Sequence, residues 1–141
     1  MKVFSAQNGF LVRMERGEEI HESLIGFARE RGIEGAAVEG IGAIMNAEIG
    51  RYCLDRKEYE TRRVDDVTEL LSFSGNLCLL DGRPFLHAHV VLMREDFTVA
   101  GGHLVRGEIA VTGEFSIRDT DLKLTRRPDP VVGLALLEAG S

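Results

Sequence analysis

Three of the four histidines of this chain, His87, His89 and His103, fall close together in the sequence. His87-Ala88-His89 lies inside Phe85 to Met93, a run that reads as a β-strand. Side chains alternate along a strand, so both rings point to one face, with Cα atoms about 7 Å apart. His103 follows Gly101-Gly102 on a strand roughly a hairpin away. Three neutral imidazoles that converge leave a fourth position to water, the arrangement of an open zinc site. Imidazole equally suits copper, iron and nickel, so the expected cofactor is Zn2+ or another divalent transition metal. Hydrogen-bonded core or interface histidines would show the same spacing, and that reading stays open. His21, beside Glu22 on a predicted helix, reads as a surface residue.

Carboxylates come next. Glu69 opens an otherwise apolar strand, and Glu114 stands between Gly113 and Phe115. Either could ligate a metal, orient a histidine or act as a general base, which makes them the candidate catalytic residues if the chain is an enzyme. Glu108 and Glu39 are weaker candidates of the same kind. A solvated strand position accounts for each of them as well.

Elements must position these side chains. Phe10 to Met14 reads as a short strand, and a helix is predicted from about Glu18 to Arg31. Its Ile20, Leu24, Phe27 and Ala28 form one apolar stripe, and Gly32 is a natural stop. Strands follow at Ala36 to Ile44 and, after a turn at Asn46, at Ala47 to Leu54. Glu58 to Val64 is charged enough for an edge strand. Leu70 to Leu80 and Phe85 to Met93 flank Asp81-Gly82-Arg83-Pro84, a strong reversal signal. Phe97 to Leu104, Glu108 to Ile117 and Leu122 to Thr125 complete the sheet. Pro128 and Pro130 end it, and the apolar tail Val131 to Leu137 must dock somewhere. One main helix with about seven strands on short turns predicts an α+β fold with a largely antiparallel sheet.

The 141 residues suit a single domain, 1–141, with no repeat or long linker. A 44% apolar share supports a core without disulfides, and Cys53 and Cys78 read as buried reduced thiols of a cytoplasmic protein. No apolar run is long enough for a membrane span, and no signal core follows Lys2. The net charge of −6 disfavours direct DNA binding, which works by neutralising phosphates. Gly40-Ile41-Gly42 lacks the third glycine of a dinucleotide fingerprint, and neither a Walker loop nor G-x-S-x-G occurs.

The order of these pieces resembles a known family. Gly40-Ile41-Gly42-Ala43 is followed by Glu69-Leu70-Leu71-Ser72-Phe73-Ser74-Gly75-Asn76, then Leu86-His87-Ala88-His89, Ala100-Gly101-Gly102-His103-Leu104 and Glu114-Phe115. That combination resembles the plant-and-prokaryote-conserved (PPC) domain over residues 8–137. The resemblance implies an antiparallel sheet packed beside a helix and assembled as a homotrimer, single-domain in prokaryotes. It implies, in some members, a metal on the histidines corresponding to His87, His89 and His103. Plant members add AT-hooks and use the domain for self-association and for contacting transcription factors. This chain carries no AT-hook, and Asp66-Val67-Thr68 stands where plant members have Gly-Arg-Phe. The expected function is a homotrimeric three-histidine metal-binding module for a small ligand or partner protein. The alternatives are a DNA-binding transcriptional regulator and a zinc-dependent hydrolase.

Overall fold

The computed structural model describes residues 1–139. Nine strands and one helix follow in the order β1 (Lys2–Ala6), β2 (Gly9–Glu15), α1 (Ile20–Arg31), β3 (Ala36–Cys53), β4 (Glu58–Val64), β5 (Thr68–Leu80), β6 (Arg83–Met93), β7 (Val99–Asp119), β8 (Leu124–Pro128) and β9 (Ala135–Ala139). All pairings are antiparallel except that of β5 with β8.

Helix α1 forms where its apolar stripe predicts. Glu19 caps its first turn by accepting the Glu22 N–H at 2.8 Å. Gly32, at φ 66°, ends it in the left-handed conformation, and the Ile33 N–H closes the last turn on the Ala28 carbonyl at 2.9 Å. Ile20, Leu24, Phe27 and Ala28 are buried, the same four positions.

Two expected breaks are not breaks. Asn46 does not turn the chain; it takes φ 52° within β3, where the register against β7 shifts between Met45 and Glu48. Asparagine tolerates this conformation, so the strand bends without ending. The predicted strands 97–104 and 108–117 are likewise one long strand, β7, bent where its pairing with β3 slips. The two long strands therefore pair twice, Ala36–Gly42 with Gly113–Asp119 and Ile44–Gly50 with His103–Ile109. With β3 on β5, β5 on β6, and β6 on β7, the pairings close on themselves. Inside lie Phe73 and Phe115, edge to face at 5.1 Å between centroids, with Ile44, Leu70, Leu92, Leu104 and Ile109.

The ends of the chain also differ from expectation. β1 is almost wholly exposed and carries no apolar periodicity, so nothing in its residues announces it. The last predicted strand is displaced to β8, which includes Pro128, and the apolar tail becomes β9, paired with it. Tyr52 Oη donates to the Val132 carbonyl at 2.7 Å and Lys57 Nζ to the Pro130 carbonyl at 2.8 Å, so β3 and the turn after it anchor the intervening loop.

Replacing Phe73 by Ala empties the centre of the core and is expected to cost about 3–5 kcal/mol in urea unfolding. Gly102→Ala is expected to cost about 1–3 kcal/mol. Its added Cβ would stand 2.6 Å from the Gly50 carbonyl oxygen and push β7 off β3 beside His103.

Candidate metal centre

Two turns set the geometry. Asp81 and Gly82, at φ 50° and 73°, make the tight reversal between β5 and β6. It fixes His87 opposite Asn76 and His89 opposite Ser74. At the next reversal Asp96 accepts the Thr98 N–H at 2.9 Å and its hydroxyl at 2.6 Å, and Phe97 takes φ 62°. That turn places His89 directly across from His103. Gly75 and Gly101 permit the close approach of these strands. A Cβ on Gly75 would lie 2.3 Å from the His87 carbonyl oxygen, and one on Gly101 2.8 Å from that of Val90.

The three imidazoles consequently share one face. Their ring centroids stand 5.1, 5.2 and 5.7 Å apart, and one nitrogen of each lies within 4.8 Å of the others. A tetrahedral zinc site with bonds near 2.0 Å needs nitrogens about 3.3 Å apart, so modest rotations would close the set. His87 and His103 are half-buried and His89 is exposed, which leaves an open side. Tyr59 of β4 lies against His103 at 4.8 Å between centroids and is itself packed on Tyr52.

Burial and charge lower the basicity of two of the rings, His87 and His103. Burial, reinforced by the His87 and His89 charges, pushes the His103 pKa down to about 4. Burial and then the Arg126 guanidinium lower that of His87. Neutral imidazole is the ligating form. His103 Nδ1 is buried without a hydrogen-bond partner, an orphaned donor or acceptor that a protein rarely tolerates unless something else occupies it. Neutral nitrogen donors, an orphaned ring nitrogen and ligand atoms already near one another fit a divalent transition metal.

The carboxylates lie elsewhere. Glu69 is exposed and registered against Met93, two turns of the pleat beyond His89, about 13 Å along the strand. Glu114 is exposed and pairs with Ile41 and Arg13, three strands away from His89, about 14 Å. Neither reaches the histidines within this chain. Glu108 accepts from Asn46 and Arg106 at 3.2 Å each, bracing the bend of β3 and β7. Glu39 lines a depression of about 500 Å³ with Glu114, Leu11, Ile41 and Leu71. Glu69 lines an adjoining one with Ile41, Leu71 and Val111. His21 is not a surface residue: it is half-buried, with Nδ1 3.8 Å from Glu19 Oε1, because the helix rests on the sheet at that turn. Cys53 and Cys78 are buried free thiols.

One residue of the site escaped the sequence reading. Arg126 of β8 crosses to β6 and places Nη2 3.1 Å from His87 Nδ1. It also donates to Asn76 Oδ1 at 3.2 Å, to Cys78 Sγ at 3.3 Å and to the Ala135 carbonyl at 2.9 Å. Only the parallel pairing of β8 with β5 brings it there, and nothing in the local sequence marks that pairing.

Similar folds are known. A plant- and prokaryote-conserved (PPC) protein from Pyrococcus horikoshii is 39% identical, over 97% of this chain and 93% of its own, with a TM-score of 0.86. A metal-containing protein from Archaeoglobus fulgidus is 36% identical, over 96% of this chain and 98% of its own, with a TM-score of 0.84. A putative DNA-binding protein from Bacteroides thetaiotaomicron is 26% identical, over 97% and 96%, with a TM-score of 0.93. No curated protein matches the chain. The sequence model of the Plants and Prokaryotes Conserved (PCC) domain matches residues 1–121, which together with the Pyrococcus likeness places the chain in that family.

Proposed function

We propose that this protein is a homotrimeric metal-binding module in which His87, His89 and His103 hold zinc or another divalent transition metal. A small ligand or a partner protein takes the remaining position. The observation that carries this reading is the convergence of three imidazoles with an orphaned nitrogen on His103. The Archaeoglobus relative, described as a metal-containing protein, supports it. A divalent ion on three histidines keeps one position open and supplies Lewis acidity there. Glu69 and Glu114, the candidate bases, both stand away from that position, which favours binding over hydrolysis.

The homotrimer has separate support. Leu11, Ile41, Leu71 and Val111 are large apolar side chains left 46, 58, 46 and 67% exposed. They line the two adjoining depressions on the sheet, with Glu39, Glu69 and Glu114 among them. A clustered apolar surface of this kind suits burial against another copy of the chain.

Protein purified without added metal is expected to hold about one transition-metal ion per chain by elemental mass spectrometry. His87→Ala/His89→Ala should lose it. Background metal in both, with no zinc uptake on titration, overturns the metal reading. By light scattering the wild type is expected at three times the chain mass, and Ile41→Asp at one. A wild-type monomer removes the trimer.

A DNA-binding role is the second reading, favoured by the Bacteroides relative and by a Ralstonia eutropha structure, 26% identical, also described as a putative DNA-binding protein. The net charge of −6 weighs against it. Micromolar protein is expected not to retard duplex DNA at low salt; a retardation that salt abolishes would establish this reading instead.

A further inference from the structure

Arg126 and a metal compete for one lone pair. A neutral imidazole has a single nitrogen lone pair, and a guanidinium has only N–H groups to offer. At 3.1 Å, Arg126 Nη2 therefore donates to His87 Nδ1 and leaves the ring proton on Nε2. A metal at Nδ1 would take that lone pair outright. A metal at Nε2 would need the proton moved to Nδ1, where it would face the Arg126 N–H, donor against donor. Either way the contact and the ligation exclude each other.

Charge points the same way. Among the described residues no carboxylate forms an ion pair with Arg126. Nor does a carboxylate join the three histidines. A divalent ion there would add two positive charges beside a half-buried guanidinium that has just lost an acceptor. That is costly without an anion. A depression of about 420 Å³, lined by Ser74, Gly75, Asn76, His87, Ala88 and His89, opens beside two of the three histidines and Arg126's partner Asn76. A guanidinium beside a Lewis acid matches the paired oxygens of a carboxylate or phosphate.

We propose that the small ligand of this centre is an oxyanion, a carboxylate or phosphate group held between the metal's open position and the Arg126 guanidinium, which metal loading releases from His87. This rests on the metal reading above and extends it to the ligand's class. Arg126 lies on β8, beyond the residues 1–121 that define the family match, so the oxyanion subsite belongs to the chain's C-terminal hairpin.

The test uses cobalt(II) as the spectroscopic metal, with acetate in one arm and inorganic phosphate in another. Arg126→Met is expected to bind cobalt about tenfold more tightly, the competing charged hydrogen bond being gone. It is also expected to bind the anion at least about tenfold more weakly than wild type. A merely structural arginine would weaken both or change neither. Unchanged or weaker cobalt binding, or undiminished anion binding, overturns the proposal. The arm with the tighter binding names the ligand's group, and no anion binding in either arm also overturns it. Should the variant fail to fold, nitrogen-15 NMR of the wild type decides: His87 Nδ1 is expected without a proton in the metal-free protein, with Arg126 side-chain signals moving on zinc addition. A proton on Nδ1, or static Arg126 signals, overturns it. Failure of the wild type to take up cobalt at all sinks the metal reading itself, a separate outcome.

Discussion

Everything at this site depends on strand register. The pleat has a period of two, so a slip of one residue in β6 would turn His87 and His89 into the core and bring Leu86, Ala88 and Val90 to the surface. Those three are 1, 1 and 2% exposed, packed with the rest of the hydrophobic core, so the slip would expose what the core needs. The same burial that stabilises the fold thus holds the imidazoles outward. The Asp81-Gly82 reversal sets β6 against β5 and the Asp96-braced turn sets β7 against β6, which puts the three rings on one face.

The long strands serve this constraint. Because β3 and β7 bend and pair twice, the segment carrying His103 lies between β6 and the second half of β3, with Gly50 opposite His103. Only a glycine at 102 lets those backbones approach so closely. Tyr59 then closes over His103 from β4. The half-burial that follows strips water from the ring and holds its basicity low, so the fold itself prepares a neutral donor.

What was legible in the residues was local. The two-residue spacing of His87 and His89, the turn between β5 and β6 and the apolar stripe of α1 are each written in a few consecutive positions, and the structure keeps them. The three-histidine convergence followed from adding one hairpin. The bends were not legible, because Asn46 resembles a turn residue equally whether the chain reverses or only bulges. Exposed β1 has no period to read. Arg126 lies 39 positions from His87 and reaches it by a parallel pairing of two residues, a contact that only tertiary folding creates.

The sheet's solvent side divides into two chemistries. Near β6 it carries imidazoles, amide and guanidinium; across β2, β3 and the second half of β7 it carries Leu11, Ile41 and Val111 with carboxylates between them. Helix α1 packs against β6 and β7, its apolar stripe in one cluster with Leu86, Ala88 and Val90. An apolar patch needs a partner to leave water, whereas a cationic centre needs an anion. Placing the two side by side on one sheet means that assembly through the first would change the dielectric and the access around the second. The carboxylates Glu39 and Glu114 border the apolar patch rather than the histidines. Electrostatic complementarity between the two regions would orient association, with apolar burial supplying most of its strength.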